Sequence, residues 1–291
     1  MNKYKLTDDS IEFNSIKLYR IQALRSFGTV KEGDLGGYVQ SEANLSHEDN
    51  CWVSGNAWVS DTAQVYGNAR VGGDARVFGD AWVFDNAHVS DTAWVYGDAH
   101  VYGKARVYGD AQVYGKAHVY GDAQVSDTAW VYGNASVYGD AWVSDTAWVY
   151  GNAHVSGNTQ VFGDARIIQG YIQKGVIGDR PTVESILAQT GLPLLPDGTI
   201  YGYKRVNKVD ETTYTSCCDS SFKYELNKVV EVTDPDLDYK VACASGLHIS
   251  HAMYWNKGDI LLLVKTHIDD VIACQQGKLR VKKLEVIQEI G

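Results

Sequence analysis

Cys243 and His248 flank a glycine in the phrase CASGLHIS (residues 243–250). A thiol and an imidazole held together make a nucleophile and its base. Tyr203, Arg205, Tyr224 and Glu225 lie on candidate neighbouring strands, and with Cys243 and His248 they could equally line a polar pocket for a small ligand or peptide. The binding reading is preferred to the catalytic one, because no acid is identifiable to orient His248 and a short segment does not establish proximity; a plain structural domain outweighs both. In the third reading Gly246 permits a bend and Cys243 packs in a core. No catalytic residue, metal ligand or cofactor is therefore assigned. The five cysteines, Cys51, Cys217, Cys218, Cys243 and Cys274, are odd in number and lack a CxxC spacing, which argues for reduced thiols over disulfides or a zinc site.

The elements that must position such groups are dominated by a repeat. Nineteen valines occupy every sixth position from Val53 to Val161, and Ile167 extends the series. Two residues before each lies a small residue: Cys51, then Ala57 to Ala153, Thr159 and Ala165. Residues two apart in an extended segment share a face, so each hexad is a short strand with Ala and Val inward. The two residues that follow, Gly-Asp, Gly-Asn, Gly-Lys or Asp-Thr, turn a corner: Gly is conformationally permissive, and Asp or Asn can satisfy nearby backbone groups. A short fixed period reads as a solenoid, each unit burying its inner face against its neighbours. Val39, Ala43 and Leu45 match one earlier hexad, after which SHEDN carries a two-residue insertion.

With three hexads to a turn of 18 residues, the chain resembles the left-handed parallel β-helix of hexapeptide-repeat proteins. The handedness comes from that resemblance, since parallel crossovers in general are right-handed. About six turns between Val53 and Ile167 give a prism roughly 30 Å long at ~4.8 Å per stacked strand. Sorted by eighteen, the outward residues differ by face. The first face is mostly small: Ser54, Gly72, Ser90, Tyr108, Ser126, Ser144 and Phe162. The second carries Phe78, Tyr96, Tyr114, Tyr132 and Tyr150 beside Trp58, Trp94, Trp130 and Trp148. The third carries Tyr66, Phe84, Tyr102, Tyr120 and Tyr138 beside Trp82, His100, His118 and His154. Two aromatic ladders exceed what a soluble monomer usually exposes. Hexapeptide-repeat proteins commonly trimerise, so the expected interface is Trp94, Tyr96, Tyr114, Trp130, Tyr132, Trp148, Tyr150, Tyr102, Tyr120 and Tyr138, with a partner-binding surface as the alternative. His88, His100, His118 and His154 sit at a variable outward position; a stacked His100/His118 pair could titrate or bind a metal, but solvated or interface histidines are the simpler reading.

The ends differ from the repeat. IKLYRIQALRSFG followed by KEGDLGGYVQSEANLS reads as an apolar-rich strand pair and a glycine turn that cap the open solenoid end. The phrase GDLGGYV, then NLS and CWV, resembles the opening of uncharacterised hexapeptide-repeat proteins of phages and prophages. Beyond Ile168 the period fails, and a short helix is expected near 182–189, capped by Thr182. Strand segments then follow at 199–206, 221–226, 228–233, 246–250, 259–266, 270–274 and 278–287. This stretch resembles a small domain of unknown function at the C-terminus of phage proteins, the T4 rapid-lysis B protein among them, through IYGYKRV, FKYEL, CASGLHIS and DVIAC…GKLRVKKLEVI.

The fold expected is all-β dominated: an N-terminal cap over 1–38, a left-handed β-helix over 39–168, a linker with a short helix over 169–198, and a small β-rich (α+β) C-terminal domain over 199–291. A formal charge of −10 disfavours duplex nucleic acid, the densest basic run being KLRVKK at 278–283. No apolar run reaches the ~18 residues of a membrane span. The expectation is a soluble homotrimer in the host bacterial cytoplasm, non-catalytic, binding a host nucleotide signal or a host defence protein. The alternatives are an acyl- or sugar-nucleotide transferase, whose usual loop interrupting a coil is not found between Val53 and Ile167, and a structural spacer or virion component.

Overall fold

The computed structural model describes residues 2–178, 182–217, 219–220, 222–237 and 245–290. Two compact units form, Met1–Val161 with Ile168–Gly175, and Phe162–Ile167 with Val176–Gly291.

The first unit is a parallel β-solenoid. From Trp52–Val53 to Trp142–Val143 each hexad gives a two-residue strand ending on its valine, as in Trp58–Val59 and Gln64–Val65, and Trp148–Val155 joins two hexads in one strand. Strands eighteen residues apart pair in register: Val53 with Val71, Val59 with Val77 and Val65 with Val83. Every inward Ala and Val from Ala57 to Val161 is at most 1 % exposed, so the Ala-x-Val pattern is the core. A fully buried valine contributes about 1.5–3 kcal/mol, and stacking repeats that contribution coil after coil.

The corners show why Gly alternates with Asp. Gly103 has φ +72° and Asp91 φ +57°, both in the left-handed region that glycine tolerates and Asp visits with local hydrogen bonds. The Asp91 carboxylate accepts from Gly109 N at 3.1 Å in the next coil, and Thr92 Oγ1 donates to Gly109 O at 2.9 Å. Asp61 and Asp85 likewise accept from Gly79 N and Gly103 N, at 3.0 and 3.2 Å. Asp-Thr therefore replaces Gly-Asp without loss of the turn.

At the N-terminus an antiparallel pair, Tyr4–Phe13 and Ile16–Ala23, leads into Leu35–Val39, which pairs in parallel with Trp58–Val59. The first strand falls in a segment too polar to announce itself. Val39 faces Val59 and Leu45 faces Val65, twenty residues apart, so the two-residue insertion is real and lies after Leu45. Ala43 is not the inward residue of that hexad. It is exposed on a short 3-10 turn, Glu42–Asn44, and buried Asn44 replaces it, donating to Asp61 O and Ala63 O at 3.0 Å each. Nor do Gly36 and Gly37 make a turn. They lie within a strand where a Cβ would come 2.7 Å from the Trp52 ring or 2.8 Å from Val53 Cγ1. The glycine pair thus marks close approach to the solenoid end. At the other end of this unit residues 168–175 run beside the last coil, with Ser156 N donating to Ile172 O and Gln160 N to Gly175 O.

The second unit contains the helix Val183–Thr190 and a nine-stranded antiparallel sheet. Thr182 Oγ1 accepts from Ser185 N at 3.1 Å, the cap expected, and Gly191 ends the helix with φ +66°. Thr199–Lys208 lies mid-sheet, pairing with Ile260–His267 from Thr199↔His267 to Val206↔Ile260. Its other flank meets Leu247–Ser250 at Tyr203↔Ser250 and Thr213–Ser216 at Val206↔Ser216. Leu247–Ser250 in turn pairs with Lys278–Val281. Ile200, Val206, Tyr214, Leu247, Leu262 and Leu279 belong to one buried core. The stretch read as one strand at 278–287 is two, Lys278–Val281 and Lys283–Glu289, which pair with different neighbours.

Candidate functional site: a cationic cavity in the C-terminal unit

Leu247 pairs with Val281 and Ile249 with Leu279, and all four are buried. Strand alternation then gives His248, paired with Arg280, to the opposite face from these apolar residues. Gly246, just before, leaves room for Arg280: a Cβ there would sit 2.7 Å from its Cγ. A cavity of about 390 Å³ opens beside this strand, lined by Lys204, Tyr224, Phe222, His248, Trp255 and Lys278, with Ser216, Asp219, Val232, Ser245, Gly246 and Leu247. That volume falls in the range of roughly 300–1,000 Å³ found for small-molecule sites.

The walls are aromatic and cationic. Trp255 is fixed by its Nε1, which donates to Tyr203 O at 2.8 Å. The Lys204 ammonium lies 5.2 Å from the Tyr224 ring centroid and 5.5 Å from that of Trp255, and donates to His248 O at 3.3 Å. Cation–π contact of this kind stabilises an ammonium by about 0.5–2 kcal/mol, more where water is excluded. Lys204, Lys278 and Arg280 are only 7, 8 and 3 % exposed, an unusual burial for three like charges within reach of one imidazole. Burial, then the positive charges of Lys278, Lys204 and Arg280, push His248 down to about 3. Its imidazole is neutral at pH 7, and its buried Nε2 has no hydrogen-bond partner among the described residues. Among the described residues lining the cavity, Asp219 supplies the single carboxylate.

The sequence-predicted pocket residues divide. Tyr224 and His248 line the cavity. Tyr203 contributes only its carbonyl as the anchor of Trp255, and Arg205 turns to Gly258 O at 3.2 Å, away from the cavity lining. Glu225 is exposed and is not among the lining residues. Cys243 lies outside the described residues. Lys204, between Tyr203 and Arg205, was the residue to choose in IYGYKRV, and Lys278 stood in the densest basic run. Alternation in that strand carried the signal, but its parity could not be set without knowing which face was covered.

On the solenoid, the expected interface residues form the ladders. Tyr96–Tyr114, Tyr114–Tyr132 and Tyr132–Tyr150 stack at 4.8–4.9 Å between centroids and within 9° of parallel. Tyr102–Tyr120 and Tyr120–Tyr138 do the same at 4.9 and 4.8 Å, as does Trp130–Trp148 at 4.9 Å. Trp94 meets Tyr96 edge-on and carries the Arg76 guanidinium 4.8 Å above its ring. All are half-buried, because each ring covers the next. His100 and His118 meet edge-on at 4.9 Å; burial and then His118 hold His100 below the usual histidine range. Among the described residues no group of three or more His, Cys, Asp and Glu side chains could hold a metal ion. No described helix is long and apolar enough to cross a membrane.

The fold defines the chain as a repeat β-solenoid protein with a β-rich C-terminal sheet. Consistent with this, a family model of the YdcK beta solenoid repeat matches residues 63–77 and 69–85. No curated protein matches the chain.

Proposed function

We propose that this is a non-catalytic binding protein whose C-terminal unit captures a small anionic ligand of the nucleotide class. The observation that carries this reading is the burial of Lys204 and Lys278, with Arg280 close by, around an aromatic-walled cavity in a chain of net charge −10. Ammonium groups attract phosphate, and Trp255, Phe222 and Tyr224 give a base or ribose apolar surface. Neutral His248 offers one ring nitrogen for hydrogen bonding. Burial among cations makes that imidazole a weak base, which disfavours its use as the partner of a nucleophile.

The likeness of the opening phrase to phage and prophage proteins motivates the biological setting: interference with host defence by sequestering a nucleotide signal, in the cytoplasm of the host bacterium. The ladders support a homotrimer, since a flat ordered surface repeated over several coils suits packing against another copy. Native mass spectrometry of the purified protein reads stoichiometry and retained ligand together. Linear and cyclic nucleotides, added in turn, should raise the melting temperature and be displaced by inorganic phosphate at high concentration. A melting temperature indifferent to every nucleotide and to phosphate would overturn the reading.

A further inference from the structure

Just before the N-terminal strand the chain places a lysine where the solenoid places a cysteine. Lys3 and Cys51 are both wholly buried, with Lys3 Nζ 3.1 Å from Cys51 Sγ. The ammonium also donates to Cys51 O at 2.9 Å and Glu48 O at 3.1 Å, and the Phe27 ring lies 5.1 Å from it. The thiol is directed to Ser46 O at 3.4 Å, leaving a sulfur lone pair for the lysine. Cys51 stands in the inward column that is alanine from Ala57 to Ala153, so the sulfur occurs at the coil that Lys3 reaches. Packing alone asks only for a small side chain there.

We propose that Lys3 and Cys51 form an oxidative modification site, in which the amine and the thiol become joined through one oxygen atom as an N–O–S cross-link fastening the N-terminal strand to the first coil. Hydrogen peroxide is the oxidant. One molecule converts the thiol to a sulfenic acid and leaves as water. A second converts the neutral amine to a hydroxylamine, again releasing water. The hydroxylamine oxygen then attacks the sulfenyl sulfur, the S–OH bond breaks, and the departing hydroxide takes the N–O–H proton as a third water. Sulfur and nitrogen each give up two electrons, which the two peroxides accept. Burial lowers the Lys3 pKa, which favours the neutral amine that the second step requires. Residues 46–50 beside the pair are half-buried or exposed, so local opening of this edge admits peroxide.

The test treats the full chain with hydrogen peroxide and measures its intact mass. The expected product is about 14 Da heavier, one oxygen gained and two hydrogens lost, with the peptides holding Lys3 and Cys51 linked. A thiol reductant should break the S–O bond and separate the two peptides, returning the Cys51 thiol, and the cross-linked protein should unfold at a higher temperature than the unlinked one. Cys51→Ala, which restores the column residue, should show no such product. Stepwise gains of about 16 Da at Cys51 with Lys3 unmodified, or no gain at all, would overturn the proposal.

Discussion

His248 is neutral in the folded protein down to about pH 3, whereas the unfolded chain protonates it near pH 6.5. Between these values the unfolded state binds the additional proton, so stability rises with pH across the window and falls on acidification. This one group contributes a slope of up to about 1.4 kcal/mol per pH unit. Unfolding by urea at pH 4, 5, 6 and 7 measures it, and His248→Asn should flatten the dependence over that span. The charge at the cavity is the second residue-scale expectation. Lys278→Met should weaken nucleotide binding by about tenfold or more, the equivalent of one charge-assisted hydrogen bond, while leaving the solenoid melting unchanged. An unaltered affinity in titration calorimetry would separate Lys278 from the ligand. Chemistry at this scale was half legible: the types in CASGLHIS and IYGYKRV pointed to a site, but which alternate residues faced it depends on long-range pairings such as Tyr203↔Ser250.

The hexad was the most legible element, because an unbroken Ala-x-Val period admits few geometries. Its corners make a sharp expectation. Asp91→Ala keeps the left-handed backbone but loses both Asp's tolerance for it and the bond from Gly109 N, so it should cost about 1–2 kcal/mol in urea unfolding. Asp91→Gly loses only the bond and should cost less. Gly103→Ala should exceed both, because its Cβ would also lie 2.8 Å from Gly121 N in the next coil. Where the period stops, legibility fell for identifiable reasons. Tyr4–Phe13 carries Thr7, Asp8, Asp9 and Ser10, so its role as a covering strand comes from pairing with Ile16–Ala23 and not from its own composition. The helix was found because Thr182 marks its start chemically.

For the whole molecule, the eighteen-residue turn predicts which lengths are interchangeable. Deleting residues 97–114 removes one complete turn, joins Tyr96 to Gly115 and leaves every valine above a valine; the product should fold with an unchanged β spectrum and a cooperative transition. Deleting three residues within the same stretch breaks the alternation and should abolish that transition. Total charge was a poor guide to the site. A chain of −10 still buries three cations, Lys204, Lys278 and Arg280, in its C-terminal unit, and a total over the composition hides them.

The ladders carry a further consequence, an optical one. Chromophores held parallel at 4.8–4.9 Å share their excitation, so light absorbed by Tyr96, Tyr114 or Tyr132 migrates along the row and is passed to Trp130 or Trp148 at its edge. Tyrosine emission should be nearly extinguished in the native protein and return on unfolding. The near-ultraviolet circular dichroism of the rows should be exciton-coupled, and its loss would report the first coil to come out of register.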